Sequence, residues 1–94
     1  MLNDGIYVSE NSDSLFSAYK IKISVKETDK SYKLKLIEFD SRYAGDHMKL
    51  VFNDKGKATI GKDKSRHTMR IWGENVFTIY PFRAGIPFYF RKES

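Results

Sequence analysis

The chain predicts an all-β domain: a small antiparallel barrel or sandwich of seven to eight short strands, built as a meander, with little or no helix. Three observations point there. Apolar and polar residues alternate over long runs, clearest between Phe16 and Val25, which is the period of a half-buried strand. Clusters of Gly, Asn, Asp and Ser interrupt those runs at short, regular spacing, as in small β folds. No long segment keeps the 3.6-residue period of a helix.

Taken in order, Asp4-Gly5 opens a short apolar run, Ile6-Tyr7-Val8, and the polar stretch Ser9 to Ser14 suits a loop. From Phe16 to Val25, residues Tyr19, Ile21, Ile23 and Val25 share one face while Lys20, Lys22 and Ser24 share the other. The chain turns between Lys26 and Ser31. Tyr32, Leu34 and Leu36 then face one way, with Lys33 and Lys35 opposite. At Leu36-Ile37 the alternation breaks, and a β-bulge there would restore it. Asp40 to His47 is an irregular connection. Met48, Leu50 and Phe52 resume a strand, Asn53-Asp54-Lys55-Gly56 turns the chain, and Ala58 and Ile60 form the return strand. Gly61 to His67 is charged and exposed.

Thr68 to Lys92 is dense in β-branched and aromatic residues broken by two Gly-containing turns, the pattern of consecutive hairpins. A loop at Gly73-Glu74-Asn75 sets Ile71 against Phe77, Met69 against Ile79 and Trp72 against Val76. A three-residue loop at Arg83-Ala84-Gly85, where Gly85 can adopt positive φ, sets Phe82 against Ile86, Tyr80 against Phe88 and Thr78 against Phe90. Met69, Ile71, Phe77, Ile79 and Tyr89 then share one face. Arg70, Trp72, Val76, Tyr80, Phe82, Ile86, Phe88 and Phe90 share the other.

Ninety-four residues form a single domain, residues 1–94, with no room for a second core. The aromatic content is 15%, and large rings bury the most area per residue. A net charge of +5 favours anionic partners. The absence of Cys excludes a disulfide framework, a thiolate metal site and a Cys nucleophile, and fits a reducing compartment. The N-terminus has no basic region followed by an apolar run, and no window approaches a membrane span. The expectation is a cytoplasmic protein with no membrane association, and the Lys-, Asn- and Tyr-rich composition suggests a bacterial or phage origin.

Motifs for chemistry are weak. Gly56 to Asp63 nearly matches the phosphate loop G-x-x-x-x-G-K-[ST], but Asp63 stands where a metal-binding hydroxyl is required and no helix starts at Lys62. His47 and His67 are the only histidines. Asp46 precedes the first and Ser65 lies near the second, yet no third group completes a triad. Further metal ligands at set spacing are missing, and Glu10 and Asp13 lack the order of a calcium loop. Glu38 and Asp40 are the carboxylates that strand parity would bury. The expectation is therefore no enzyme, no metal and no cofactor.

Two surfaces remain. Pairing Val25 with Tyr32, Ile23 with Leu34 and Ile21 with Leu36 sets Lys22 against Lys35 and Ser24 against Lys33. Lys20, Lys22, Lys26, Lys33 and Lys35 then form a basic face whose like charges repel and which an anionic partner would relieve. The second surface is the far side of the C-terminal hairpins, where Arg70, Trp72, Tyr80, Phe82 and Phe88 combine the residue types that anchor interfaces. That face must meet another sheet, a loop, a ligand or another chain, including a second copy in a homodimer.

The resulting functional expectation is a small, basic, non-enzymatic protein-binding module or inhibitor. Its aromatic and arginine face would anchor a partner with an acidic surface, and its lysines would steer the encounter. One alternative is a small barrel binding single-stranded nucleic acid, with lysines on phosphates and rings on bases, although the aromatic RNP1 pattern is missing. The other is a small lipocalin-like ligand carrier. The opening Asp4-Gly5-Ile6-Tyr7 and the closing Phe88-Tyr89-Phe90-Arg91-Lys92 resemble the ends of such barrels, without any specific motif between them.

Overall fold

The computed structural model describes residues 2–12, 18–41, 51–62, 69–80 and 87–93. Among them are seven strands: β1 (Gly5–Asn11), β2 (Tyr19–Glu27), β3 (Ser31–Ser41), β4 (Lys57–Gly61), β5 (Met69–Ile71), β6 (Val76–Ile79) and β7 (Phe88–Lys92). All pair antiparallel, in the order β4-β3-β2-β1-β7-β6-β5. Two meanders, one of four strands and one of three, are thus joined through β1 and β7.

Chain length disfavours a flat sheet. The strands β4 and β5 lie at opposite ends of the strand order, six gaps apart, or about 29 Å if the sheet were flat. Gly61 and Met69 are eight residues apart (69 − 61), so the connection reaches at most about 29 Å when fully extended. A flat sheet would demand that the connection be fully extended; the sheet curls, nearly closing into a small barrel with one face inside.

The inside is one continuous apolar core. Tyr7, Ile21, Ile23, Val25, Tyr32, Leu34, Phe77, Ile79, Phe88 and Phe90 are buried in it, with Leu2, Phe52, Ile60 and Met69. Phe77 stacks on Phe90 with centroids 5.1 Å apart. Tyr7 tilts against Phe77 at 5.0 Å, and Tyr19 meets Phe88 edge-on at 5.0 Å. The Tyr7 hydroxyl donates toward the carbonyl oxygens of Asn3 (2.7 Å) and Glu74 (3.1 Å). Asn3 N–H also donates to the Glu74 carbonyl at 2.8 Å, so the N-terminal segment holds the Gly73–Asn75 turn.

Several expectations hold at the level of single residues. The faces of β2 and β3 are as the alternation predicts, and the bulge falls where the pattern breaks. Ile23 pairs with Leu36 but Lys22 pairs with Glu38, leaving Ile37 as the extra residue. Ile71 opposes Phe77 and Met69 opposes Ile79, and Trp72 N–H donates to the Val76 carbonyl at 3.0 Å. In the Asn53–Gly56 turn, Asn53 Oδ1 accepts from the N–H groups of Lys55 (2.9 Å) and Lys57 (3.0 Å). Gly56 takes φ 72° there, a conformation that favours glycine.

Three registers differ from expectation. In the β2–β3 hairpin Val25 opposes Leu34, not Tyr32, and Glu27 opposes Tyr32. The turn is tighter than expected because Ser31 N–H donates to Thr28 Oγ1 at 3.0 Å and Thr28 N–H donates to the Ser31 carbonyl at 2.8 Å. The slip is two residues, so every side chain keeps its face. The return strand β4 pairs with β3, a partner the sequence did not indicate. Phe52 is buried in a bend, and Met48 and Leu50 lie outside the described residues.

The third difference changes faces. Phe77 pairs with Phe90 and Ile79 with Phe88, one residue away from the register of a loop centred on Ala84. Residues 81–86, which carry Phe82 and that loop, lie outside the described residues. A one-residue offset exchanges the two faces of β7, sending Phe88 and Phe90 inside and Tyr89 and Arg91 outside. The energetic reason is direct. The expected register would leave two phenylalanines in water, at about 1.5–3 kcal/mol each, and would place an arginine in the core without a partner.

Candidate partner-binding face

The outer face of β5, β6 and β7 carries two cross-strand rows. Arg70, Thr78 and Tyr89 form one. Trp72, Val76 and Arg91 form the other, Trp72 joining through its backbone bond to Val76. At the centre, Trp72 is 51% exposed and yet fixed in place. Its indole N–H donates to Thr78 Oγ1 at 3.0 Å. The Arg70 guanidinium carbon lies 4.5 Å from the centroid of its ring, a cation–π contact worth about 0.5–1 kcal/mol at an exposed site. Thr78 itself is fully buried, and its hydroxyl lies 3.5 Å from the Arg70 carbonyl oxygen as donor.

Tyr89, beside this group, is 59% exposed. Two large rings and two guanidinium groups thus project from one patch of sheet. Rings held by neighbouring contacts lose little side-chain entropy on binding, which is what makes Trp, Tyr and Arg effective anchors.

The site residues expected from sequence divide accordingly. Arg70 and Trp72 are together and exposed. Tyr80 follows β6 and is half-buried. Phe88 is corrected: it is 1% exposed and packs in the core, because the β7 register puts it there. Phe82 lies outside the described residues. Tyr89 and Arg91 belong to the patch and sequence reasoning missed them; the aromatic run Phe88-Tyr89-Phe90 looks apolar at every position, so only the phenol and the following Arg91 mark the outward parity.

The basic face also rearranges. Lys22 does not oppose Lys35. Its ammonium lies 3.4 Å from Glu93 and 4.0 Å from Glu38. Lys20 sits in register between Glu10 and Asp40. Lys26 opposes Lys33, Ser24 opposes Lys35, and Lys35 opposes Lys57 on β4. Lys57 was missed because its strand was assigned to a different partner.

The remaining candidates reduce to structure or fall outside it. Glu38 and Asp40 are exposed, not buried by strand parity. Gly56 to Lys62 is a turn followed by β4. Lys62 pairs with Glu27 at 3.5 Å and sits 5.4 Å from the Tyr32 ring centroid. Asp13, Asp46, His47, Asp63, Ser65 and His67 lie outside the described residues. Among the described residues no group of three or more His, Cys, Asp or Glu is placed to hold a metal, and no helix is long and apolar enough to cross a membrane.

Two tyrosines have displaced ionisation. Burial, followed by the Asp4 charge, raises the Tyr7 pKa. Burial, followed by the Glu27 carboxylate beside it, raises that of Tyr32. Both groups stay protonated more strongly than a free phenol. They belong to the core side of the sheet and act on stability rather than on the outer patch.

Compared with known proteins, the chain matches no family model, no curated protein and no solved structure.

Proposed function

We propose that the chain is a protein-binding module that docks a partner with an acidic surface on the outer face of β5, β6 and β7, without catalysis of its own. The observation that carries this reading is Trp72, a half-exposed ring whose indole N–H and π-face are both already engaged by Thr78 and Arg70. A side chain held that way while half its surface stays in water suits an anchor awaiting a pocket. Arg91 and Arg70 give the patch a positive rim, and the net charge of +5 speeds encounter with an acidic partner.

The test uses the full chain as bait beside its Trp72→Ala and Arg70→Ala variants, each first shown to unfold at or near the wild-type temperature. An acidic protein recovered with wild type and lost from both variants supports the reading. Retention of the same partner by both folded variants refutes it, as does a Trp72→Ala chain that simply unfolds.

A second reading has its own observation. Arginines flank both exposed rings, the arrangement by which single-stranded nucleic acid is stacked and neutralised. Electrophoretic shift with single-stranded oligonucleotides across a salt series separates the two, because phosphate contacts weaken steeply with salt. The mutual packing of the Tyr7, Phe77 and Phe90 rings in the interior favours these two docking readings over a carrier role.

A further inference from the structure

We infer that the outer face of β2, β3 and β4 is a second, separate binding site, built for a compact polyphosphate group. The register places six donor side chains on adjacent positions of three neighbouring strands. Ser24, Lys35 and Lys57 form one cross-strand row; Lys26, Lys33 and Thr59 form the next. The grid spans about 10 Å across the strands and about 7 Å along them. These side chains line a shallow depression of about 370 Å³. Every member is a hydrogen-bond donor, and among the described residues the four ammonium groups have no side-chain acceptor.

The contrast with the other lysines of this sheet gives the grid its meaning. Lys22 has Glu38 and Glu93, Lys62 has Glu27, and Lys20 lies between Glu10 and Asp40. Among the described residues no carboxylate lies within ion-pair distance of Lys26, Lys33, Lys35 or Lys57. Two like-charged pairs instead stand directly opposite each other, Lys26 against Lys33 and Lys35 against Lys57, which is destabilising until an anion intervenes.

The shape of the charge selects the ligand. Acids bound the field on both sides, Glu38 and Glu93 beyond one row, Asp4, Glu27 and Asp29 beyond the other. A nucleic-acid strand running through would meet those carboxylates. An acidic protein would have to crowd several mutually repelling side chains into the same small area. A short chain of phosphates presents several charges and many acceptor oxygens within it.

Inorganic tripolyphosphate is the probe, titrated into the full chain at constant ionic strength, with calorimetry for affinity and backbone amide shifts for location. The expected result is saturable binding with shifts confined to β2, β3 and β4. Lys35→Gln or Lys57→Gln should weaken it roughly tenfold each, the size of one lost charge-assisted contact. Both variants should fold at least as stably as wild type without ligand, since each removes a like-charge pair. Lys20→Gln and Trp72→Ala should leave affinity unchanged, which separates failure here from failure of the docking patch. Equal binding by sulfate at matched ionic strength, unchanged affinity in the two Gln variants, shifts spread over all lysines, or no binding would each overturn the inference. So would tight oligonucleotide binding that tripolyphosphate cannot displace, which would make the grid part of a nucleic-acid track.

Discussion

The β7 register decides which rings reach solvent, and the neighbouring pair Phe88 and Tyr89 tests it by difference. Phe88 is 1% exposed, so it buries nearly all of its side chain, worth about 1.5–3 kcal/mol of transfer free energy before any cavity is counted. Its edge-on contact with Tyr19 at 5.0 Å adds about 0.5–1.5 kcal/mol. Phe88→Ala should therefore cost about 3–5 kcal/mol, the usual range for a core phenylalanine. Tyr89 is 59% exposed; burying about two-fifths of its area, it should cost at most about 2 kcal/mol as Tyr89→Ala. The loss of strand propensity on going to Ala is common to both and drops out of the comparison. The expected gap of about 2 kcal/mol corresponds to about 8–16 °C in melting temperature for a domain of this size. Urea unfolding followed by far-UV circular dichroism measures it, provided the two variants share the wild-type slope. Equal losses, or a larger loss for Tyr89→Ala, would refute the register and with it the outward Tyr89 and Arg91.

The other predictions concern the devices that hold the barrel together. Tyr7→Phe keeps the core ring but removes the hydroxyl bridging Asn3 and Glu74, and should cost about 1–3 kcal/mol in urea unfolding. Tyr7 and Tyr32 both have raised pKa values. The folded chain thus keeps protons that the unfolded chain releases near pH 10. Their contribution is fully present below that pH and is lost as pH rises through the folded values. A denaturation series from pH 8 to 11 should show stability falling at the alkaline end, and falling less in Tyr7→Phe and Tyr32→Phe. Gly56→Ala should lose about 1–2 kcal/mol from its left-handed backbone alone, with further loss because a Cβ there would lie 3.3 Å from Leu36 Cβ; an unchanged melting temperature would contradict the turn geometry.

What could be read from the sequence follows from how strongly pattern constrains pairing. The faces of β2 and β3 were legible because lysines alternate there with aliphatic residues, and a strand that puts Lys33 inside is not an option. The bulge at Ile37 was legible for the same reason, as the point where that alternation fails. The β5–β6 hairpin was legible because its loop is short and ends on apolar residues in matching positions. The β6–β7 register was not, because Phe88, Tyr89 and Phe90 satisfy either face and a loop assumed around Ala84 decided between them. The partner of β4 was not legible either: sequence adjacency favoured Met48–Phe52, whereas the long β3 offers its backbone to Lys57–Gly61. Those two pairings are what bring Arg91 to Trp72 and Lys57 to Lys35. The binding faces were therefore visible residue by residue, but their membership depended on non-local pairing.

Trp72 is the only tryptophan in the chain, so acrylamide quenching of its fluorescence in the native state tests the outward anchor without interference. Half-exposed and held by Thr78 and Arg70, it should be quenched readily before unfolding, at a substantial fraction of the rate in urea. Native emission that resists acrylamide, as from a ring sealed in the core, would contradict the account.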